Sequence, residues 1–442
     1  MLYAVRMTRR APSRPILAAR AAAAVLVLAA PGAGAASIET VVRSALADFP
    51  AIRVAQANRN VAEFRIDEAR ARHLPVIDVG GAARVAGAAV SQPLPRARVN
   101  LWAGGAIDSA IDREQQRAAS AERREAVTRE DVAFGATQAY LRVLRAARLT
   151  DAARSNLDRH LKLVSLFEQI VRIDAGRRFD LVQAQARAQG VRGTLEDRLA
   201  ELGSARQALV RFYPAPADPE GFGLPAVASI EPPAPDAGAL QEHPAVVAAR
   251  REVQAAEANA RALRRSRGPR LDLEAFGGRD PGSQLVLSWP AFDPSLTAAE
   301  RGAVAAQLGA EATLQDTERA VLDALRQAHQ DFDAAGRRMT QARRQIDLAS
   351  ELVGIYFEQF RVGRRNLLDL LAAYAELANA EAAFAGQQVD QALARYRIVY
   401  AQAGLVAWFE GPQATLPTLP PPEPVKVPPY GDALGPVPGT VR

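Results

Sequence analysis

The side chains that carry most enzyme and metal chemistry are scarce in this chain. It has no cysteine, which excludes thiol catalysis, thiolate metal sites, disulfides and a lipid-modified cysteine. Its four histidines, His73, His160, His243 and His329, are far apart, and no two have the spacing of a metal pair. No glycine-rich phosphate loop and no Ser-His-Asp set stands out. Catalytic, cofactor and metal sites are therefore not expected, and the protein reads as a non-enzyme. The charges that do cluster flank two glycines, in Gly176-Arg-Arg-Phe-Asp180 and Gly363-Arg-Arg-Asn-Leu-Leu-Asp369. The simplest chemistry there is electrostatic. An acid in the first turn of a helix matches the positive end of its dipole, and charged helix ends are readily solvated.

Long helices must position those charges. The residues are 49% hydrophobic but only 6% aromatic, and much of the apolar share is alanine, the strongest helix former. Between Val321 and Phe360 one heptad set is Leu325, Phe332, Met339, Ile346, Val353 and Phe360, and the other is Val321, Ala328, Ala335, Ala342, Ala349 and Tyr356. This is the seam of a left-handed coiled coil, with bulky side chains on one row and mostly alanine on the other. A predicted helix over Asp108–Ile173 spans roughly 100 Å at ~1.5 Å per residue, which suits a strut or tunnel better than a compact core.

The chain also repeats itself. Pro50-Ala-Ile-Arg-Val-Ala55 matches Pro244-Ala-Val-Val-Ala-Ala249, and Pro75, Asp78 and Arg70 match Pro269, Asp272 and Arg264. Each copy reads helix, strand, hairpin, strand, very long helix, short break, helix. The predicted helices are Ile38–Arg72, Asp108–Ile173 and Phe179–Arg211, then Ala239–Arg267, Ser295–Arg361 and Asn366–Ala403. The predicted strands are about Val76–Ala83, Arg98–Gly105, Arg270–Gly278 and Ser283–Trp289. Trp102 and Trp289 end strands at equivalent places, where they suit either a membrane-interface belt or an aromatic core contact.

The expected organisation is a signal peptide over 1–36, a first repeat over 37–212, a linker or equatorial segment over 213–236, a second repeat over 237–404 and a proline-rich disordered tail over 405–442. The signal peptide combines five arginines among the first 20 residues, the apolar run Ala21–Ala30 and the cleavage-like Ala33-Gly34-Ala35. Those arginines carry five of the six net positive charges, so the basic balance is weak evidence for nucleic-acid binding. Four strands cannot close a membrane barrel, whose single-chain forms begin near ~8 strands, but three chains pooling four each give twelve.

Phe360-Arg-Val-Gly363-Arg-Arg-Asn-Leu-Leu-Asp369-Leu-Leu-Ala-Ala373 resembles the periplasmic-tip motif of the TolC family, and its wording is most like the type I protein-secretion members. Gly176-Arg-Arg-Phe-Asp180-Leu-Val-Gln-Ala184 resembles the companion tip, with a glycine-to-aspartate spacing two residues shorter. Leu285-Val-Leu-Ser-Trp-Pro-Ala-Phe-Asp293 resembles the family's strand-to-helix corner. The resemblance runs to about Gly404. It implies a mainly α fold with a small β part: duplicated coiled-coil helices forming an α-barrel tunnel, four transmembrane strands per protomer and a trimeric twelve-stranded β-barrel. It places the protein in the Gram-negative outer membrane, reaching into the periplasm. The implied partners are two further copies, outer-membrane lipid, a periplasmic adaptor, an inner-membrane ABC transporter and an exported protein, with no nucleic acid. By the same resemblance Asp369 forms an acidic ring at the pore constriction, and the second acidic position is lost at Ala372. Arg365 and Asp180 are the two sides of a closing latch, weakened where Phe360 replaces tyrosine, and Gly176 and Gly363 are its hinges. Two other readings stay open: a small-molecule efflux duct of a tripartite pump, and a periplasmic adaptor or structural coiled coil.

Overall fold

The computed structural model describes residues 37–80, 94–214, 224–225, 237–278, 281–411 and 418–419. The signal peptide, most of the linker and most of the proline-rich tail lie outside them. The described chain runs α1 (Ile38–Asp48), α2 (Pro50–Ala71), β1 (Val76–Gly80), β2 (Leu94–Trp102), α3 (Ala106–Ile173), a 3-10 turn (Ala175–Arg177) and α4 (Arg178–Val210). There follow β3 (Leu224–Pro225), α5 (Ala237–Glu242), α6 (Pro244–Arg265), β4 (Arg270–Phe276), β5 (Gly282–Ser288), α7 (Pro294–Arg361), α8 (Leu367–Ala401), α9 (Leu405–Glu410) and β6 (Thr418–Leu419).

The duplication is visible in lengths. α2 and α6 have 22 residues each, and α3 and α7 have 68 each. Each copy starts with a break that the predicted helices ran through. Phe49 and His243 precede Pro50 and Pro244 and take extended ψ values of 131° and 127°. The proline ring clashes with a helical residue before it, so one long helix becomes two.

α3 is the spine. α1, α2, α4, α6 and α8 all pack on it, and α7 packs on α6 and α8. All twelve residues of the heptad seam on α7 are buried or half-buried. One core joins α1, α3, α4, α8 and α9 around Val42, Tyr140, Leu144, Tyr396 and Phe409. A second, nearer the helix turns, joins α3, α4, α7 and α8 around Leu163, Phe167, Val353, Leu370 and Tyr374. Among the described residues no helix is long and apolar enough to cross a membrane.

The tail boundary at 405 needs correction. Leu405 and Phe409 of α9 are buried. Glu130 of α3 accepts hydrogen bonds from the backbone N–H groups of Leu405 and Val406 at 2.9 and 3.1 Å. Arg43 Nε donates to the Phe409 carbonyl at 3.0 Å, and Arg129 pairs with Glu410. Packing and capping thus hold six residues that a proline-weighted reading assigned to the tail. Beyond them Thr418–Leu419 pairs with Leu224–Pro225.

The sheet order is β1-β2-β4-β5, antiparallel throughout, so β1 and β5 are its edges. β2 begins at Leu94 rather than Arg98. Pro95 weighs against a strand there by sequence, but it pairs with Val79 of β1 and its carbonyl accepts from Gly277 N–H at 2.8 Å just past the stretch paired with β4, so the proline sits at the start of the strand, where it is tolerated. β2 also stops at Trp102, because Gly104 and Gly105 take φ values of 59° and 77° to turn the chain into α3.

Candidate functional site

The two faces of the sheet differ in chemistry. Directly paired residues point to the same face. Ile77, Ala97, Val99, Leu271, Leu273, Ala275, Leu285 and Leu287 therefore share one face with Ser283, and Asp78, Arg96, Arg98, Asn100, Asp272, Glu274, Gln284 and Ser288 share the other with Val76, Phe276 and Val286. Among the described residues nothing covers the apolar side: Ile77 is 72% and Leu287 70% exposed. On the polar side, cross-strand neighbours bond to one another. Arg98 Nε donates to Glu274 at 2.8 Å, Asn100 Nδ2 to Asp272 at 2.8 Å, Gln284 Nε2 to Glu274 at 3.2 Å and Arg270 Nε to Ser288 at 2.7 Å. A bulge after Asn100 sets Trp102 opposite Leu271, which brings the indole to the apolar side. Both tryptophans are exposed, Trp102 at 52% and Trp289 at 66%, so neither makes the core contact that stood as an alternative. Trp289 Nε1 donates to the Arg267 carbonyl at 3.2 Å. A sheet with one dry and one hydrogen-bonded polar face fits between hydrocarbon and water.

At the far end of the long helices are the two glycine turns, and they are built differently. Gly363 has φ 74°. Gly363 N–H donates to the Phe360 carbonyl at 2.9 Å, and Arg364 N–H to that of Gln359 at 2.8 Å, the paired bonds that close a helix at a left-handed residue. Asn366 Oδ1 then caps α8 by accepting from Asp369 N–H at 2.8 Å. Gly176 has no positive φ. The chain stops instead at Asp174, whose carboxylate accepts from Gly176 N–H at 2.9 Å and starts the 3-10 turn. With only the four residues Asp174 to Arg177 between the helices, an aspartate turn replaces the left-handed stop. As a hinge, Gly176 is thus not the equivalent of Gly363.

The latch residues fall into separate sets within the protomer. Arg365 bonds Gln359 at 2.9 Å, lies 3.3 Å from the Asp369 carboxylate and stacks 4.2 Å from the Tyr356 ring centre. It therefore ties the end of α7 to the start of α8. Asp180 pairs with Arg177 at 3.7 Å, in the first turn of α4. Phe360 is no free latch group. It is buried and meets Phe167 edge-on at 5.7 Å, because it closes the heptad seam and the second core encloses it.

Two polar sites escaped the sequence reading. Arg159 of α3 and Glu381 of α8 form a buried bidentate pair, with bonds of 2.8 and 2.5 Å. Glu381 continues the Leu370, Tyr374, Leu377 spacing on the buried face of α8, a signal that could have revealed it. Beside it His160 is buried, its Nδ1 3.0 Å from the Asn156 carbonyl, and burial lowers its pKa. The other site is Glu130, which burial pushes up to about 7 despite its two backbone donors. Among the described residues no cluster could hold a metal ion.

Residues 237–404 match the family model described as Outer membrane efflux protein. No curated protein matches the chain. Among solved structures, the fold is similar to the outer-membrane channel OprN, with a TM-score of 0.73 at 24% identity over 83% of this chain and 90% of that one. It is also similar to the Campylobacter jejuni CmeC outer membrane channel, with a TM-score of 0.72 at 15% identity over 83% and 85%. For the Neisseria gonorrhoeae MtrE outer membrane channel, in its open state, the TM-score is 0.71 at 17% identity over 83% and 89%. At these identities the likeness is one of fold.

Proposed function

We propose that this chain, whose residues 237–404 match the Outer membrane efflux protein family model, works as a passive export duct made by three protomers in the Gram-negative outer membrane. The observation that carries the reading is the sheet. Its apolar face suits lipid, its polar face suits a water-filled lumen, and among the described residues no further strand pairs with its edges β1 and β5. An open edge in a membrane leaves backbone groups unsatisfied, so the strands must close into a ring. Three four-stranded sheets meeting β5 to β1 supply about twelve strands. Below the ring the 68-residue helices reach ~100 Å into the periplasm.

Transport needs no catalytic group in such a duct. Energy comes from an inner-membrane ABC transporter reached through a periplasmic adaptor, and the cargo is an exported protein. The Gly363–Ala373 tip supports this type I reading. Small-molecule efflux is the competing reading, favoured by the family description itself. At the tip, three copies of Asp369 around one axis form an acidic constriction that favours cations, and Arg365 holds the turn closed. Trp102 and Trp289 anchor the barrel at the headgroup level.

The test is single-channel recording in planar bilayers with the purified trimer. Asp369→Ala should blunt block by divalent cations and move ion preference toward anions, and Arg365→Ser should raise the resting conductance. Unchanged block, preference and conductance would remove the constriction assignment. Comparing secreted proteins with dye retention in cells lacking the chain separates the two cargo classes.

A further inference from the structure

A tunnel wall closed by assembly needs two complementary edges, and the helical part of the protomer has two. Toward the turns, past the stretch where α6 packs on α7 around Val246, Val321 and Leu325, α4 packs on α3, α3 on α8 and α8 on α7, so α4 and α7 are there the outer helices of the row. Cross-helix bonds give their relative heights. Arg159 of α3 bonds Glu381 of α8, and each lies about 14 residues, ~21 Å, from the turn end of its helix. Arg397 of α8 bonds Asp331 of α7, each about 30 residues from that end. α3, α8 and α7 are thus level. Thr150 of α3 bonds the Arg198 carbonyl, which sets α4 about three residues, ~4 Å, further from the tip.

Opposite its α8 seam, α7 presents Arg337, Arg344, Leu348 and Ile355, at the seven- and four-residue spacing of one helix face. Leu348 is 68% exposed and Ile355 47%. Opposite its own α3 seam, α4 presents Val182, Gly190, Gly193 and Asp197. At both glycines an added Cβ would meet nothing within 4 Å, which leaves a notch in the helix surface. Among the described residues neither Arg337 nor Asp197 has an ion-pair partner. With the heights matched, Ile355 falls beside Val182, Leu348 beside Gly190 and Arg337 beside Asp197, each within about two residues or ~3 Å.

We infer that α7 of one protomer docks antiparallel on α4 of a second copy of this chain, with Leu348 seated in the Gly190 notch and Arg337 paired with Asp197. The inference rests on the trimeric duct proposed above and names the contact that sets its register. The leucine supplies apolar burial where the glycines let the helices approach. The charge pair, at the rim of the contact, selects one sliding position over its neighbours.

The absence of cysteine makes the contact testable by cross-linking the full-length trimer in detergent. Under mild oxidation, Leu348→Cys with Gly190→Cys should give covalent trimers, since the paired backbones come within disulfide reach. Leu348→Cys with Ser204→Cys shares the α4 face but is ~24 Å out of register, and should give at least tenfold less. A native trimer that cross-links equally in both pairs, or only in the second, overturns the docking and leaves the trimeric reading standing. A monomer in native gels overturns both. Charge variants give a second readout. Arg337→Asp should lower the temperature at which trimers dissociate, and adding Asp197→Arg should restore it. A double variant no better than the single one also overturns the pairing.

Discussion

Replacing Glu381 by alanine leaves the Arg159 guanidinium stranded between α3 and α8. The two side chains are 6% and 14% exposed, and Arg159 Nε already lacks a partner, so the carboxylate is the group that satisfies the charge. Removing one member of such a buried pair costs about 3–5 kcal/mol, whereas replacing both by apolar groups is often neutral. At roughly 2.1 cal/mol/K per residue, a cooperative unit of roughly 350 residues would lose about 4–7 °C in Tm. Glu381→Ala, Arg159→Met and the Arg159→Met/Glu381→Leu double variant should be compared by circular dichroism melting in one detergent. The expected order is wild type and double variant close together, with the Glu381→Ala single well below. A shift below about 1 °C for that single variant, or a double variant as unstable as the two losses added, would refute a buried pair held by mutual compensation.

At Glu130 the folded pKa is raised to about 7 from 4.5, chiefly by burial. The folded state then holds a proton that the unfolded state has released between those values, so stability should fall as pH rises from about 4.5 to 7. Limited proteolysis near α9 should accelerate over that range, and Glu130→Gln should flatten the dependence. Gly363→Ala should cost about 1–2 kcal/mol in thermal melts from its left-handed backbone alone, because space around the missing Cβ is open. Leu285→Arg, on the apolar face and roughly 13 Å along β5 from Trp289, should cost ~2–4 kcal/mol near the bilayer midplane, read as loss of the heat-modifiable band. Glu274→Gln on the polar face should leave that band intact.

Much of this architecture was legible because it is periodic. The α7 seam announces itself through Leu325, Ile346 and Val353 recurring against Ala328, Ala335 and Ala342, and packing follows that pattern directly. The strands of the second copy were readable from alternation in Arg270–Phe276. What escaped depends on single residues whose effect is local or distant. Pro50 and Pro244 marked the repeat, yet the breaks they impose fall on the preceding Phe49 and His243. At the first turn, Asp174 rather than Gly176 ends the helix, a choice set by a side-chain bond that spacing does not reveal. α9 is held by Glu130, 275 positions away in the chain, and such a contact leaves no mark on the local composition.

The equal length of α3 and α7 restricts how this molecule could ever change size. An insertion in one long helix alone would leave its turn projecting past the other and break cross-bonds such as Arg159–Glu381. Only matched edits in both repeats, in steps of seven residues that preserve the seam, would keep the mouth flush. Reach is therefore inherited in whole units, and a deliberately shortened version would have to lose the same segment from four helices at once.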